Sequence, residues 1–233
     1  TATSMHQSSR PSSTPSLPGH LSGGDARSLL RWASANGRGF PWRDTRDPYV
    51  TAVTELMLVR TRAEQVRSVW GPFFHKYPTL DSLAAADDAE IASILRPLGL
   101  EWRGRRVLEF ARAAAATSRW PERIRSLPGG GPYVAAATEL AAVGRGSIPV
   151  DVTIARVVAR YWGLPTRGEA RRDPAVLGAV QRMGRRSRRF FYAWLDLAAK
   201  NCTPAVPNCH SCPIRGGCAH GRSRIDPERP DAT

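Results

Sequence analysis

Apolar residues recur at three- and four-residue intervals along most of the chain, the spacing that lays one buried stripe on an α-helix. Leu29, Leu30 and Trp32 open the first stripe behind a start signal at Gly23–Asp25, and Val50, Val53, Met57 and Leu58 mark a second. Stretches at 63–76, 88–95, 104–117, 133–142, 152–162, 174–182 and 186–200 keep the same period, with Gly and Pro punctuation between them. No run alternates with a period of two, and no internal repeat is evident. The pattern predicts an all-α fold. Residues 1–22, rich in Ser, Thr, Pro, Gly and His, predict a disordered tail, and 221–233 a second, short one.

Composition narrows the class. A chain of 233 residues with 42% hydrophobic and 23% charged side chains holds a core without staples, which excludes a disordered or collagen-like polymer. No apolar stretch approaches the roughly 18 residues of a membrane span, and the N-terminus lacks the apolar core of a signal peptide. A cytoplasmic protein without membrane association is expected. The net charge of +14 and a sequence pI of 11.0 suit a polyanionic partner. Of the 34 cationic side chains only Lys76 and Lys200 are lysines.

Four constellations carry candidate chemistry. In Leu127-Pro128-Gly129-Gly130-Gly131-Pro132-Tyr133, three glycines end one short helix and Pro132 suits the first position of the next. Such a hairpin aims free N–H groups at a backbone phosphate, or it is a plain helix–helix turn. Glu55 is a lone carboxylate in an apolar stretch. Burial would raise its pKa and suit it to donate a proton, while a half-exposed position paired to an arginine is the simpler alternative. Asp151 follows Ile148-Pro149-Val150 and opens a helix, either as an N-cap alone or as a carboxylate aimed into a facing cleft. Cys202, Cys209, Cys212 and Cys218 form the set C-x6-C-x2-C-x5-C. Their clustering argues for a metal centre rather than disulfides, with zinc and a [4Fe–4S] cluster both open on spacing alone.

Taken in order, Phe40-Pro41-Trp42-Arg43, the Glu55 helix, the Gly hairpin, the Val150-Asp151 step and the cysteine loop resemble the helix-hairpin-helix DNA glycosylases of the endonuclease III superfamily over residues 25–220. The resemblance implies two helical subdomains with DNA over the cleft between them. One is a helical barrel at 49–151. The other joins residues 23–48 to 152–220, within a glycosylase fold of 23–220. It also implies that Cys202, Cys209, Cys212 and Cys218 hold a [4Fe–4S] cluster, and that the partner is double-stranded DNA carrying a mismatched or damaged base. A nucleoid-associated monomer is expected.

Bifunctional members place a Schiff-base lysine two residues after the last hairpin glycine, where this chain has Tyr133. The resemblance therefore implies a monofunctional glycosylase in which water is the nucleophile. Monofunctional branches with Tyr at this position act on thymine or uracil opposite guanine, or on adenine opposite 8-oxoguanine. Leu58-Val59-Arg60-Thr61, where adenine enzymes show Gln-Gln-Thr, and the missing Tyr-Tyr pair near Gly99–Trp102 favour the first. In that reading Tyr133 packs against the flipped nucleotide, and Glu55 hydrogen-bonds or protonates the departing base. Asp151 stabilises the sugar cation or orients the water, Gly129 and Gly131 hold a phosphate, and Arg60 lies near the displaced strand or the orphaned guanine. Removal of adenine, or damage binding without catalysis, are the rival functions. The cluster loop Thr203–Asn208 lacks the basic residues usual in relatives, and Arg185, Arg186, Arg188 and Arg189 are candidates to replace them.

Overall fold

The computed structural model describes residues 21–99, 102–144, 146–166, 168–183 and 187–224. Most of the two tails expected from the sequence, and Arg185 and Arg186, lie outside these residues. Among the described residues there are eleven α-helices, short 3-10 turns and no β-strand. They are α1 (Gly23–Asn36), α2 (Pro48–Leu58), α3 (Ala63–Lys76), α4 (Leu80–Ala84), α5 (Asp88–Leu95), α6 (Trp102–Ala115), α7 (Pro132–Val143), α8 (Val152–Trp162), α9 (Pro174–Arg182), α10 (Arg188–Lys200) and α11 (Ala219–Ser223).

Local chemistry sets most of the starts. Ser22, Asp47, Asp87, Asp151, Asp173 and Ser187 each accept a first-turn N–H through the side chain, satisfying donors that the helix itself leaves orphaned. Gly144 and Gly163 close α7 and α8 in left-handed conformation. The periodicity missed α4 and α11, each of five residues and too short to register a 3.6-residue repeat. A reciprocal Thr79–Ser82 capping box starts α4 instead. α11 carries the chain into what the sequence suggested was tail.

Two hydrophobic clusters form the core. The first contains Val53, Met57, Val66, Phe73, Leu83, Ile91, Val107 and Phe110, from α2 to α6. The second contains Leu29, Ile154, Val158, Val176, Phe190 and Trp194, from α1 and α8 to α10. Phe40 and Trp42 pack in the first, although the sequence grouped them with α1. Leu140 and Ile148 pack in the second, although the sequence grouped them with the barrel. The reason is that α7 belongs to both clusters, with Val134 in one and Leu140 in the other. Its N-terminal end packs in the first cluster and its C-terminal end in the second.

Candidate active site

Glu55 sits in α2, where every residue from Tyr49 to Met57 except Val50 is buried. A helix buried nearly all round has no polar face on which a carboxylate can rest, and Glu55 is only 9% exposed. The half-exposed pairing with an arginine that the sequence left open is not made. Burial, with the nearby Asp151 carboxylate, raises the Glu55 pKa to about 7, and a hydrogen bond with Tyr133 offsets part of that rise.

The hairpin lies directly over this helix. A Cβ at Gly129, where φ is +78°, would come within 2.8 Å of the Leu56 side chain. One at Gly130 would overlap the Ile124 carbonyl oxygen. These two positions require glycine, one for its backbone conformation and its neighbour for close approach. Gly131 has open space around it and serves as the N-cap of α7, making no side-chain cap. The arm before the hairpin is a single 3-10 turn, Ile124–Ser126, rather than the short helix expected. Among the described residues the Gly131 and Tyr133 N–H groups have no acceptor, and both stand at the positive end of α7.

Tyr133, in the first turn of α7, turns its hydroxyl to the Glu55 carboxylate. Burial and the two acids hold its phenol well above the ordinary value, so it stays protonated. Asp151 is the N-cap of α8. Its Oδ1 accepts from the Ile154 N–H at 2.7 Å, and its charge is felt by both Glu55 and Tyr133. Asp151 is thus an N-cap whose charge also reaches the two side chains at the hairpin. Three elements far apart in sequence meet here. A cleft of about 800 Å³ reaches Tyr133 and Val150 along the hairpin and the 147–150 loop, with Arg125, Arg171 and Arg172 among its walls. A second cavity, of about 660 Å³, is lined by Arg156, Arg160 and His220.

Sequence reasoning missed Tyr192. It stands half-buried in α10, and burial and the Glu55 charge push its phenol up to about 12. Arg43 lies 4.6 Å over its ring. Arg43 in turn grips Asp196 with both terminal nitrogens at 2.8 Å, and Arg38 Nε adds a third contact at 2.8 Å. Burial alone would raise the Asp196 carboxyl, but the bonds from Arg43 and Arg38 outweigh it and hold the pKa below its ordinary value. The Phe40–Arg43 motif thus has a physical purpose. Phe40 stacks on Trp42 at 4.7 Å, and Arg43 ties that aromatic pair to the helix that presents Tyr192. No spacing signal separates Tyr192 from the core residues around it in sequence.

Arg60 is exposed and is the one non-glycine residue with positive φ among those described, at +55°. Arg188 donates to the Thr45 carbonyl at 2.6 Å and Arg189 to Ser34 Oγ at 2.7 Å, so both already have protein partners. Neither lysine faces the acids: Lys76 pairs with Glu90, and Lys200 donates to the Asn36 carbonyl. All four cysteines are free and half-buried, and the charges of the others act on Cys212 and Cys218. Arg160 fixes their loop through the Thr203 and Pro204 carbonyls at 2.6 and 2.7 Å, and Arg156 through the Cys202 carbonyl at 3.0 Å. No group of three or more His, Cys, Asp or Glu side chains among the described residues surrounds a single ion. No described helix is long and apolar enough to cross a membrane.

A glycine hairpin set over a buried carboxyl, with a second carboxylate near enough for its charge to reach it, in a chain that is helical throughout its described residues, has the architecture of a base-excision enzyme. Residues 53–176 match the model of the HhH-GPD superfamily base excision DNA repair proteins, and the chain belongs to that family. It is 32% identical over 206 residues to a thymine-DNA glycosylase of Aeropyrum pernix, covering 83% of this chain and 92% of that one. It is also 32% identical to the human adenine DNA glycosylase, covering 87% of this chain but 40% of that protein. The fold superimposes on the solved structure of a thermostable thymine-DNA glycosylase with a TM-score of 0.75 and 30% identity, covering 85% of this chain and 95% of that one.

Proposed function

We propose that this DNA glycosylase hydrolyses the N-glycosidic bond of a mismatched thymine or uracil opposite guanine, without a lysine-based lyase step. The observation that carries the reading is the mutual coupling of Glu55, Tyr133 and Asp151, beside a cleft that Tyr133 and Val150 line, while both lysines are engaged elsewhere. A mismatched base leaves the stack at lower cost than a paired one. Tyr133 and Tyr192 flank the flipped nucleotide. Glu55, poised near neutrality, passes its proton to the departing base. The Asp151 carboxylate stabilises positive charge on the sugar and orients the attacking water. The free N–H groups of Gly131 and Tyr133 hold a backbone phosphate, with Gly129 shaping the turn that presents them. The enzyme acts as a monomer on nucleoid DNA.

Four thiols in one loop, fixed by Arg156 and Arg160, suit a [4Fe–4S] cluster by the chemistry of the donor set. Cys202, Cys209, Cys212 and Cys218 would hold it, and it would supply a rigid anchor between α10 and α11. Aerobically purified protein should be yellow-brown, and Cys209→Ala should bleach it and lower its melting temperature. A colourless wild type with one equivalent of zinc and no iron would overturn the cluster.

Single-turnover excision on G·U, G·T and A·8-oxoguanine duplexes tests the function. Release of only the adenine would overturn the substrate, and release of nothing alongside tight lesion binding would overturn the enzyme. The wild type should leave abasic sites that break only after alkali. Tyr133→Lys should put an amine beside Asp151, gain strand cleavage and become trappable by borohydride. Borohydride trapping of the wild type would refute water as the nucleophile.

A further inference from the structure

Arg103 is the second residue of α6, and its side chain is among the largest fully buried ones, at 1% exposure. No carboxylate pairs with it among the described residues. Its guanidinium is instead spread over two loops. Nη1 donates to the Leu98 and Gly99 carbonyls at 2.7 and 2.5 Å, in the turn before α6. Nη2 donates to the Val59 carbonyl and Thr61 Oγ1, both at 2.6 Å, in the turn after α2. A buried cation answered only by neutral acceptors is an expensive way to join two turns, and a planar fork is the side chain that reaches four acceptors in two directions.

The residues it grips, Val59 and Thr61, flank Arg60. Arg60 holds the left-handed backbone that L side chains rarely adopt, where Gly or Asn would sit without strain. Val59, beside it, is 39% exposed. A planar guanidinium beside an exposed apolar side chain can meet the faces and edges of bases.

We propose that Arg103 is a positioning residue for mismatch recognition. By clamping Val59 and Thr61 it presets the backbone of Arg60, so that Arg60 enters the duplex and meets the guanine left behind when its partner flips. This rests on the mismatched-base reading above and names the device that would supply its preference for a mismatch.

The test compares wild type, Arg60→Ala, Arg103→Met, Thr61→Val and the double variant Arg60→Ala/Arg103→Met. Each is measured for excision from a G·U duplex and from single-stranded uracil DNA, which has no partner base to displace. Arg103→Met should lose about 10- to 100-fold on the duplex, as misplacement of a positioned group does, and change little on the single strand. The double variant should be no worse than Arg60→Ala, because both changes remove one device. Thr61→Val removes a single acceptor and should show the same substrate bias, weaker, so a poorly folding Arg103→Met does not stop the test. Equal losses on both substrates, or losses that multiply in the double variant, would overturn the proposal. A 2-aminopurine beside the mismatch reports unstacking without any bond being cut. Its fluorescence should rise with wild type and stay low with Arg60→Ala and Arg103→Met, even if the excision reading itself fails. An equal rise with all three would refute the clamp.

Discussion

Asp151→Asn should cut single-turnover base excision by about 10²- to 10⁴-fold, the range for losing a group that acts on charge or protons in the transition state. Binding to lesion DNA should change little, because the carboxylate acts on the sugar cation rather than on the bound ground state. The geometry makes the comparison clean. Asp151 caps α8 through Oδ1, and asparagine caps a helix about as well, so the fold keeps its helix start while the charge is lost. The measurement is the observed rate constant on a G·U or G·T duplex alongside a binding titration and a thermal melt. A variant that keeps most of the wild-type rate would remove Asp151 from the mechanism. One that loses rate only in step with its melting temperature would reduce it to a cap.

Glu55→Gln should abolish excision to a similar extent and should stabilise the protein at alkaline pH. The two effects have one cause. With its pKa raised to about 7 in the folded chain, Glu55 keeps its proton where the unfolded chain has released it. Below about pH 4.5 the carboxyl is neutral in both states and costs nothing. Between there and pH 7 the unfolded state ionises alone, so stability falls as pH rises. Above the folded pKa the loss is complete, on the order of 3 kcal/mol for a shift of this size. The Gln variant cannot ionise and should escape that loss, melting higher than wild type at pH 8 and close to it at pH 4.5. Wild-type excision should in parallel decline as pH rises through 7, as the proton-donating form is titrated away. A flat pH profile, with Glu55→Gln no more stable at pH 8, would show that the carboxyl is not buried in its neutral form.

Both predictions concern residues visible in the sequence, but only partly for the right reasons. Glu55 stood out as one acid in an apolar stretch, and burial bears out that oddity. Asp151 stood out as a helix cap, which it is. The role proposed for it depends on the start of α8 lying close enough to α2 for its charge to reach Glu55, a relation that no spacing along the chain encodes. Tyr192 had no signal at all. It is an aromatic residue in an amphipathic helix, and only the structure shows Arg43, held by Asp196, over its ring and the Glu55 charge reaching its phenol. Arg103 reads as one of many arginines in a basic chain until burial sets it apart.

The sequence by itself determined the helices longer than two turns, their caps and the glycines at 129 and 130. These depend on contacts within a few residues, and local patterns report local contacts. The cysteine spacing and the order of motifs were likewise legible, because they are properties of the chain. The tertiary structure alone decided which cluster each end of α7 would join, that Phe40 and Trp42 would pack with the barrel helices, and that two acids nearly a hundred residues apart would act on each other. Those outcomes depend on which faces meet when α2, α7 and α8 pack together. Each apolar stripe records that it must be buried but not against what, and the neighbour that buries it also fixes the dielectric and the charges around every functional group.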